Sequence, residues 1–189
     1  MESIAKIFGS PARLKMLRLF IFNKSASLAL STIAERTKLS VSTVRGELAE
    51  LSAAGLVRKK GVHSAARYQL NQNFEHLAEL DTFIRDTTNV RSKDVITAVR
   101  RAGIPRLIVL SGFFIGVIEP QVDMLIAGDN LNERTLAAAI RSLEADLGRE
   151  IRYASFTTVD FKYRLGVYDR LLRDVFDYPH RVLIDKIRS

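Results

Sequence analysis

Apolar residues recur with a helical period in segments of the first fifty or so positions, and a strand, turn and strand pattern follows. Ser10-Pro11 reads as an N-cap and first-turn proline opening a helix that runs to about residue 22, with Leu14, Leu17 and Ile21 on its inner face. A short helix over roughly 32–37 turns at Lys38 and Leu39, and Ile33, Ala34 and Leu39 are placed to pack beneath the next helix. Ser40 caps that helix, which opens at Val41. Val44, Leu48 and Leu51 form its buried stripe, while Ser42, Arg45, Gly46 and Ala49 point away and leave a small, flat, polar face. Gly55 supplies the stop. Residues 56–60, 61–65 and 66–70 then read as strand, turn and strand.

Asn71-Gln72-Asn73 breaks this pattern. A helix over about 74–88 places Phe74, Leu77, Leu80 and Ile84 on one face, and a second helical piece over about 92–102 carries Val95, Ile96 and Val99. These helices connect two domains, pack on the second, or pair with the same helices of another subunit; the pattern leaves all three open. From Gly103 the periods mix. Residues 106–110 and 122–127 are buried-strand runs joined by a glycine-containing loop, and Asn130 followed by Glu133 predicts a capping pair for a helix with Leu136, Ile140, Leu143 and Leu147 inward. A third strand is expected over 151–156, two helices over 158–177 interrupted near Gly166, and a short apolar run at 182–184. Asp160, Arg164, Tyr168, Asp169 and Arg173 read most simply as i,i+4 pairing on those helices, and the lining of a cleft is the alternative that the spacing leaves open. The expected class is mixed α+β: a domain of helices plus a hairpin over 1–72, a helical connector over 73–102, and a small α/β domain over 103–189.

Two short helices, a tight turn, a longer helix and a basic hairpin make the layout of a winged helix-turn-helix, and residues 1–70 resemble the winged helices of MarR- and ArsR-type regulators. The resemblance implies double-stranded DNA as partner, read by the helix over 41–54, with the hairpin as wing. Arg45 is placed for a base contact, Ser40, Ser42, Thr43 and Gly46 share its face, Lys38 lies where a phosphate would, and Lys59, Lys60, His63 and Arg67 belong to the wing. Arg13, Lys15 and Arg18 are expected on an exposed face, turned to water. Charge separates this reading from that of a solvated basic face. Residues 1–70 hold 12 Lys and Arg against 4 Asp and Glu, whereas residues 71–189 hold 17 of each, so the whole net charge of +8 lies on the proposed reader. A homodimer matching two half-sites is expected.

Within residues 90–189, Ser111-Gly112-Phe113 followed by Asp123-Met124-Leu125-Ile126-Ala127-Gly128-Asp129 resembles the nucleotidyltransferase fold of the polymerase-β-like superfamily. In active members a Gly-Ser pair holds the triphosphate and an Asp-x-Asp on the second strand, with a further acid from the third, binds two metal ions. Here Gly112 matches, Phe113 stands at the serine position, Gln121 at the first aspartate and Asp123 at the second; neither Arg152 nor Tyr153 supplies the third carboxylate. A phenyl ring and a neutral amide cannot replace a hydroxyl and an anion around Mg²⁺. The expectation is a vestigial nucleotide site at Gly112, Phe113, Gln121 and Asp123, no metal or other cofactor and no catalysis. Asp123 is then a solvated or hydrogen-bonded acid at a strand edge. The domain serves sensing, dimerisation or partner docking, with an effector unspecified. The alternative is an enzyme that transfers a nucleotidyl group to a protein or small molecule and docks through its winged helix. A module that binds only proteins is a third possibility.

Composition narrows the rest. The 189 residues are 47% hydrophobic and contain no cysteine, which removes disulfides, thiolate metal sites and a cysteine nucleophile. His63, His76 and His180 have no ligand-like spacing. The first residues lack a secretory pattern, and the longest nearly apolar run, 107–118, is far short of the ~20 residues needed to span a bilayer. A cytoplasmic protein without membrane contact is expected.

Overall fold

Ser10 acts as its place before Pro11 demands. In the computed structural model, which describes residues 2–62, 65–117 and 121–187, its hydroxyl accepts from the Arg13 N–H at 2.9 Å and opens α2 (Pro11–Phe22) behind a short α1 (Glu2–Ile7). The chain is of mixed α and β class and divides into two units, Met1–Asn89 with Glu144–Glu150, and Val90–Leu143 with Ile151–Ser189. Among the described residues no helix is long and apolar enough to cross a membrane.

In the first unit α2 is buried nearly all round. Met16, Leu19 and Phe20 join the expected Leu14, Leu17 and Ile21, and α3 (Leu30–Thr37), α4 (Val41–Ala53) and α5 (Leu77–Thr87) all pack against it. Val44, Leu48 and Leu51 form the inward stripe of α4 as their spacing requires. Lys38, at φ 52°, makes the left-handed turn that ends α3. The hairpin lies in a three-stranded antiparallel sheet in the order β1 (Leu28–Ala29), β3 (Arg67–Leu70), β2 (Val57–Lys60). α5 begins three residues later than expected. Phe74 sits in the turn before it, yet packs with Leu77 and Leu80 on the same core, and Ile84 is fully buried there. α5 packs on the first unit, a placement outside the three that the pattern leaves open.

Arg18 corrects the expected exposed face of α2: it is 2% exposed. The cause is the segment Glu144–Glu150, which lies along α2. Arg18 Nη1 donates to the Asp146 carbonyl at 2.8 Å, Lys15 Nζ meets the Asp146 carboxylate at 2.9 Å, and Asn23 Nδ2 donates to the Gly148 carbonyl at 2.8 Å. Burial lowers the Arg18 pKa from its ordinary value, and the charge of Asp146 opposes that shift only in part. Gly148 has φ +77°, and a Cβ there would stand 2.5 Å from the Arg18 carbonyl carbon, so only glycine permits this approach.

The second unit is built on a mixed sheet in the order β6 (Tyr153–Thr157), β5 (Met124–Asp129), β4 (Ile104–Leu110), β7 (Arg181–Asp185). β4 and β5 are antiparallel. β5 and β6 are parallel and therefore need the crossover that α7 (Glu133–Leu147) provides. The run at 182–184 is the edge strand β7, antiparallel to β4. α6 (Ser92–Arg100) buries Val95 and Val99, while α8 (Thr158–Gly166) and α9 (Arg170–Phe176) place Phe161, Leu172 and Val175 against Leu107, Val109, Leu125 and Ala127. The cap of α7 is Asn132, whose Oδ1 accepts from the Thr135 N–H at 2.9 Å. Asn130, expected in that role, instead takes a left-handed turn at φ 52° just after β5. In the charged series of the late helices, Arg164 pairs with Asp160 and also with Asp169, and Arg173 pairs with Asp177. Tyr168 stands 80% exposed.

Gly148→Ala is expected to lower the stability of the first unit by about 1–3 kcal/mol, from backbone strain and collision with α2. Gly55 has nearly the same φ with open space around it. Comparing urea unfolding of Gly148→Ala with that of Gly55→Ala separates the collision from the conformational cost, and equal losses would refute the packing argument.

Candidate functional site

The N-terminus of α4 carries a cluster of hydroxyls. Ser40 Oγ accepts from the Thr43 N–H at 3.1 Å and lies 2.8 Å from both Ser42 Oγ and Thr43 Oγ1. Ser42, Thr43, Arg45, Gly46 and Ala49 are all exposed, and the space beside Gly46 is open. The acids of the helix are held on another side. Glu47 accepts from Ser10 Oγ at 2.7 Å and from Arg13 Nε at 2.8 Å, and Arg13 also lies 3.9 Å from Glu50. Arg13, expected to face water, is thus a strut between α2 and α4.

Strand alternation sorts the hairpin cations. Val57 and Leu70 are paired and buried, so Lys59 and its partner Tyr68 project from that same face, whereas Arg58 opposite Gln69 and Lys60 opposite Arg67 project from the reverse face. Lys59 and Tyr68 accordingly join Val41 and Arg45 in lining an open groove of about 630 Å³ that also reaches Leu30 and Ser31. The expected cluster of Lys59, Lys60 and Arg67 is divided between two faces, and Arg67 is further held by its Nη1 donating to the Ser27 carbonyl at 3.1 Å. Lys38 is exposed between α3 and α4. His63 lies outside the described residues.

Ion pairing sharpens the charge picture. Segments 71–89 and 144–150 bring seven carboxylates to the first unit, which then holds 14 Lys and Arg against 11 Asp and Glu. Those acids are not spread evenly: Asp146 meets Lys15, Asp81 meets Lys24, and Glu150 approaches Arg36 at 4.0 Å. Among the described residues Arg45, Arg58, Lys59 and Lys60 have no carboxylate within 4.0 Å. Lys6, on α1, likewise has none, so most of the unit's unpaired cations, though not all, sit on α4 and the hairpin.

In the second unit Asp123 is 1% exposed and fully engaged, which meets the hydrogen-bonded alternative for this acid and rules out the solvated one. Its Oδ1 accepts from the Phe113 N–H at 2.9 Å and from Arg152 Nη2 at 2.8 Å; its Oδ2 accepts from the Arg152 N–H and Nε, both at 3.0 Å. Burial alone pushes the carboxyl up. The Arg152 guanidinium and the two backbone N–H groups outweigh it and hold Asp123 below the usual carboxylate range, while Arg152 is raised by the same bonds. Gly112, at φ +49°, is required because a Cβ there would collide with Asp123 Oδ1. Gln121 is exposed, and its N–H donates to Asp174 Oδ2 at 2.7 Å. Gly112, Phe113 and Asp123 are thus brought together, but around a guanidinium.

Arg152 is the residue that reading the sequence for carboxylates passes over. The available signal was physical: a lone aspartate flanked by Val122 and Met124 needs a counter-cation. Among the described residues no three His, Cys, Asp or Glu side chains are grouped to hold a metal ion. No family model, curated protein or solved structure matches the chain. The geometry of its two sites therefore carries the functional reading.

Because the folded-state pKa of Asp123 is depressed, the stability it contributes is present above its unfolded value, ~3.9, and is lost as pH falls through the lower folded value. In Arg152→Met only the two backbone N–H groups still oppose burial, so the acid-unfolding midpoint is expected at higher pH than in the parent, with a loss of about 1–3 kcal/mol at neutral pH. Thermal melts of both proteins from neutral to strongly acid pH check this; superimposable acid limbs would show the pair to be inert.

Proposed function

We propose that this chain is a cytoplasmic, sequence-specific double-stranded DNA-binding regulator of transcription, with residues 1–72 acting as a winged helix-turn-helix. The observation that carries the reading is the shared groove of Arg45 and Lys59, beside a helix face that is small, polar and free of acids. A helix with such a face fits the major groove, about 12 Å wide, where a guanidinium can bond guanine O6 and N7 together. Arg45 reads a base edge from the first turns of α4, and Ser42, Thr43 and Gly46 allow close approach. Lys59, across the groove, neutralises the adjoining phosphate, and Lys38 takes another at the turn before the helix. On the reverse face of the wing Lys60 stands opposite Arg67, a like-charge pairing that destabilises a hairpin in water and is relieved by an anion between them.

The second unit, on this reading, keeps a nucleotidyltransferase-like fold without the reaction and serves as a sensing or docking module. The engagement of Asp123 supports this. Four hydrogen bonds from Arg152 and Phe113 fill the acceptor positions of its two oxygens, so at least one must give way before Mg²⁺ can be ligated, and Gln121 offers no second anion.

Arg45→Ala is expected to weaken specific binding by about 1–3 kcal/mol and to relax preference at one base position. Lys59→Ala and Lys60→Ala should each weaken binding to all duplexes alike and reduce the salt slope by about 1. Selection of genomic fragments by the purified protein at two salt concentrations, followed by titration of the recovered site, measures all three. Variants that bind every duplex like the parent would remove α4 and the wing from the interface.

A further inference from the structure

The two edges of the sheet in the second unit differ. β7 carries Arg181 and Asp185 at its ends and a register shift opposite Ile108 and Val109, and charges combined with a bulge are a common way to keep an exposed edge from pairing. β6 has neither protection. Its residues Tyr153, Ala154, Ser155, Phe156 and Thr157 are uncharged and free of Gly and Pro, and they pair with β5 in unbroken parallel register. Among the described residues no hydrogen bond reaches the outward backbone groups of this strand. Beside it runs an open groove of about 320 Å³ lined by Glu133, Arg134, Leu136, Ala137, Tyr153 and Ser155. Glu133 and Arg134, in the first turn of α7, have no ion-pair partner among the described residues.

We infer that β6 pairs antiparallel with β6 of a second copy of this chain, joining two four-stranded sheets into one across a two-fold axis at Ser155. The strand suits its own copy. Pairing centred on Ser155 sets Ala154 opposite Phe156 and Tyr153 opposite Thr157, small against large in each case, and no like charges meet. A two-fold axis also brings the two grooves together, and an acid beside a base on one surface can meet the base and acid of its own copy, the self-complementarity that an isologous interface requires. The interface lies wholly within the second unit and forms without DNA, so it stands or falls independently of the proposed reader.

Sedimentation equilibrium of the full chain without DNA tests this. The parent is expected as a dimer. Ser155→Lys, which sets two ammonium groups face to face at the axis, is expected as a monomer with the parent's circular dichroism and thermal midpoint. Glu133→Arg should weaken the dimer about tenfold or more, and adding Arg134→Glu should restore it. If Ser155→Lys fails to fold, the exposed α7 variants decide alone. A parent that remains monomeric at every concentration reached overturns the inference, even if it captures an extended peptide. So does a dimer whose dissociation constant none of these variants changes.

Discussion

Burial of α2 on nearly every side is the constraint on which the first unit depends. A helix so enclosed must be covered by α3, α4 and α5, and each covering helix is then turned so that its own apolar stripe meets α2. For α4 the stripe is Val44, Leu48 and Leu51, each contributing on the order of 1.5–3 kcal/mol when fully buried. The bonds from Ser10 and Arg13 to Glu47 add a smaller amount, on the order of 1–3 kcal/mol for charged partners. Hydrophobic burial therefore decides that α4 packs here, and Glu47 fixes its roll. The same rotation that brings Glu47 to Arg13 leaves Arg45 facing out.

Electrostatics follows from this packing more than from total charge. Glu144–Glu150 and the helix after the hairpin supply carboxylates to Lys15, Lys24 and Arg36, all away from the outward face of α4. With those cations neutralised, Arg45, Arg58, Lys59, Lys60 and Arg67 make α4 and the hairpin the main cluster of unpaired cations, with Lys6 of α1 apart from it. A patch of uncompensated cations steers an anionic partner to one surface, whereas an even excess would attract it everywhere.

In the second unit one ion pair satisfies a carboxylate that is almost wholly buried. Asp123 stays ionised inside the protein because four donor groups replace its water, and Gly112 lets the Phe113 N–H come close enough to be one of them. The arrangement lends rigidity to the ends of β4, β5 and β6, which is what a module that presents an edge strand to another copy requires.

The helices and strands were largely legible in the sequence, because periodicity and caps act over a few residues. Ser10, Ser40 and Gly55 mark boundaries where the structure has them, and the stripe of α4 lies where its spacing puts it. Legibility failed where a residue's neighbour is distant in sequence. Arg18 carries a charge and reads as exposed, yet Gly148, 130 positions later, closes over it. Arg152 reads as a failed ligand until parallel pairing of β5 and β6 sets it against Asp123. Lys59 and Lys60 are adjacent and alike, but the pleat sends them to opposite faces, and only the packing of the sheet says which face meets Arg45. The sequence by itself determined most of the segments that are helix or strand, α1 and β1 excepted, and that the charge excess lies before residue 71. The tertiary structure alone decided which cations remain uncompensated and which acid is consumed, since both depend on side chains that meet only after the chain has folded.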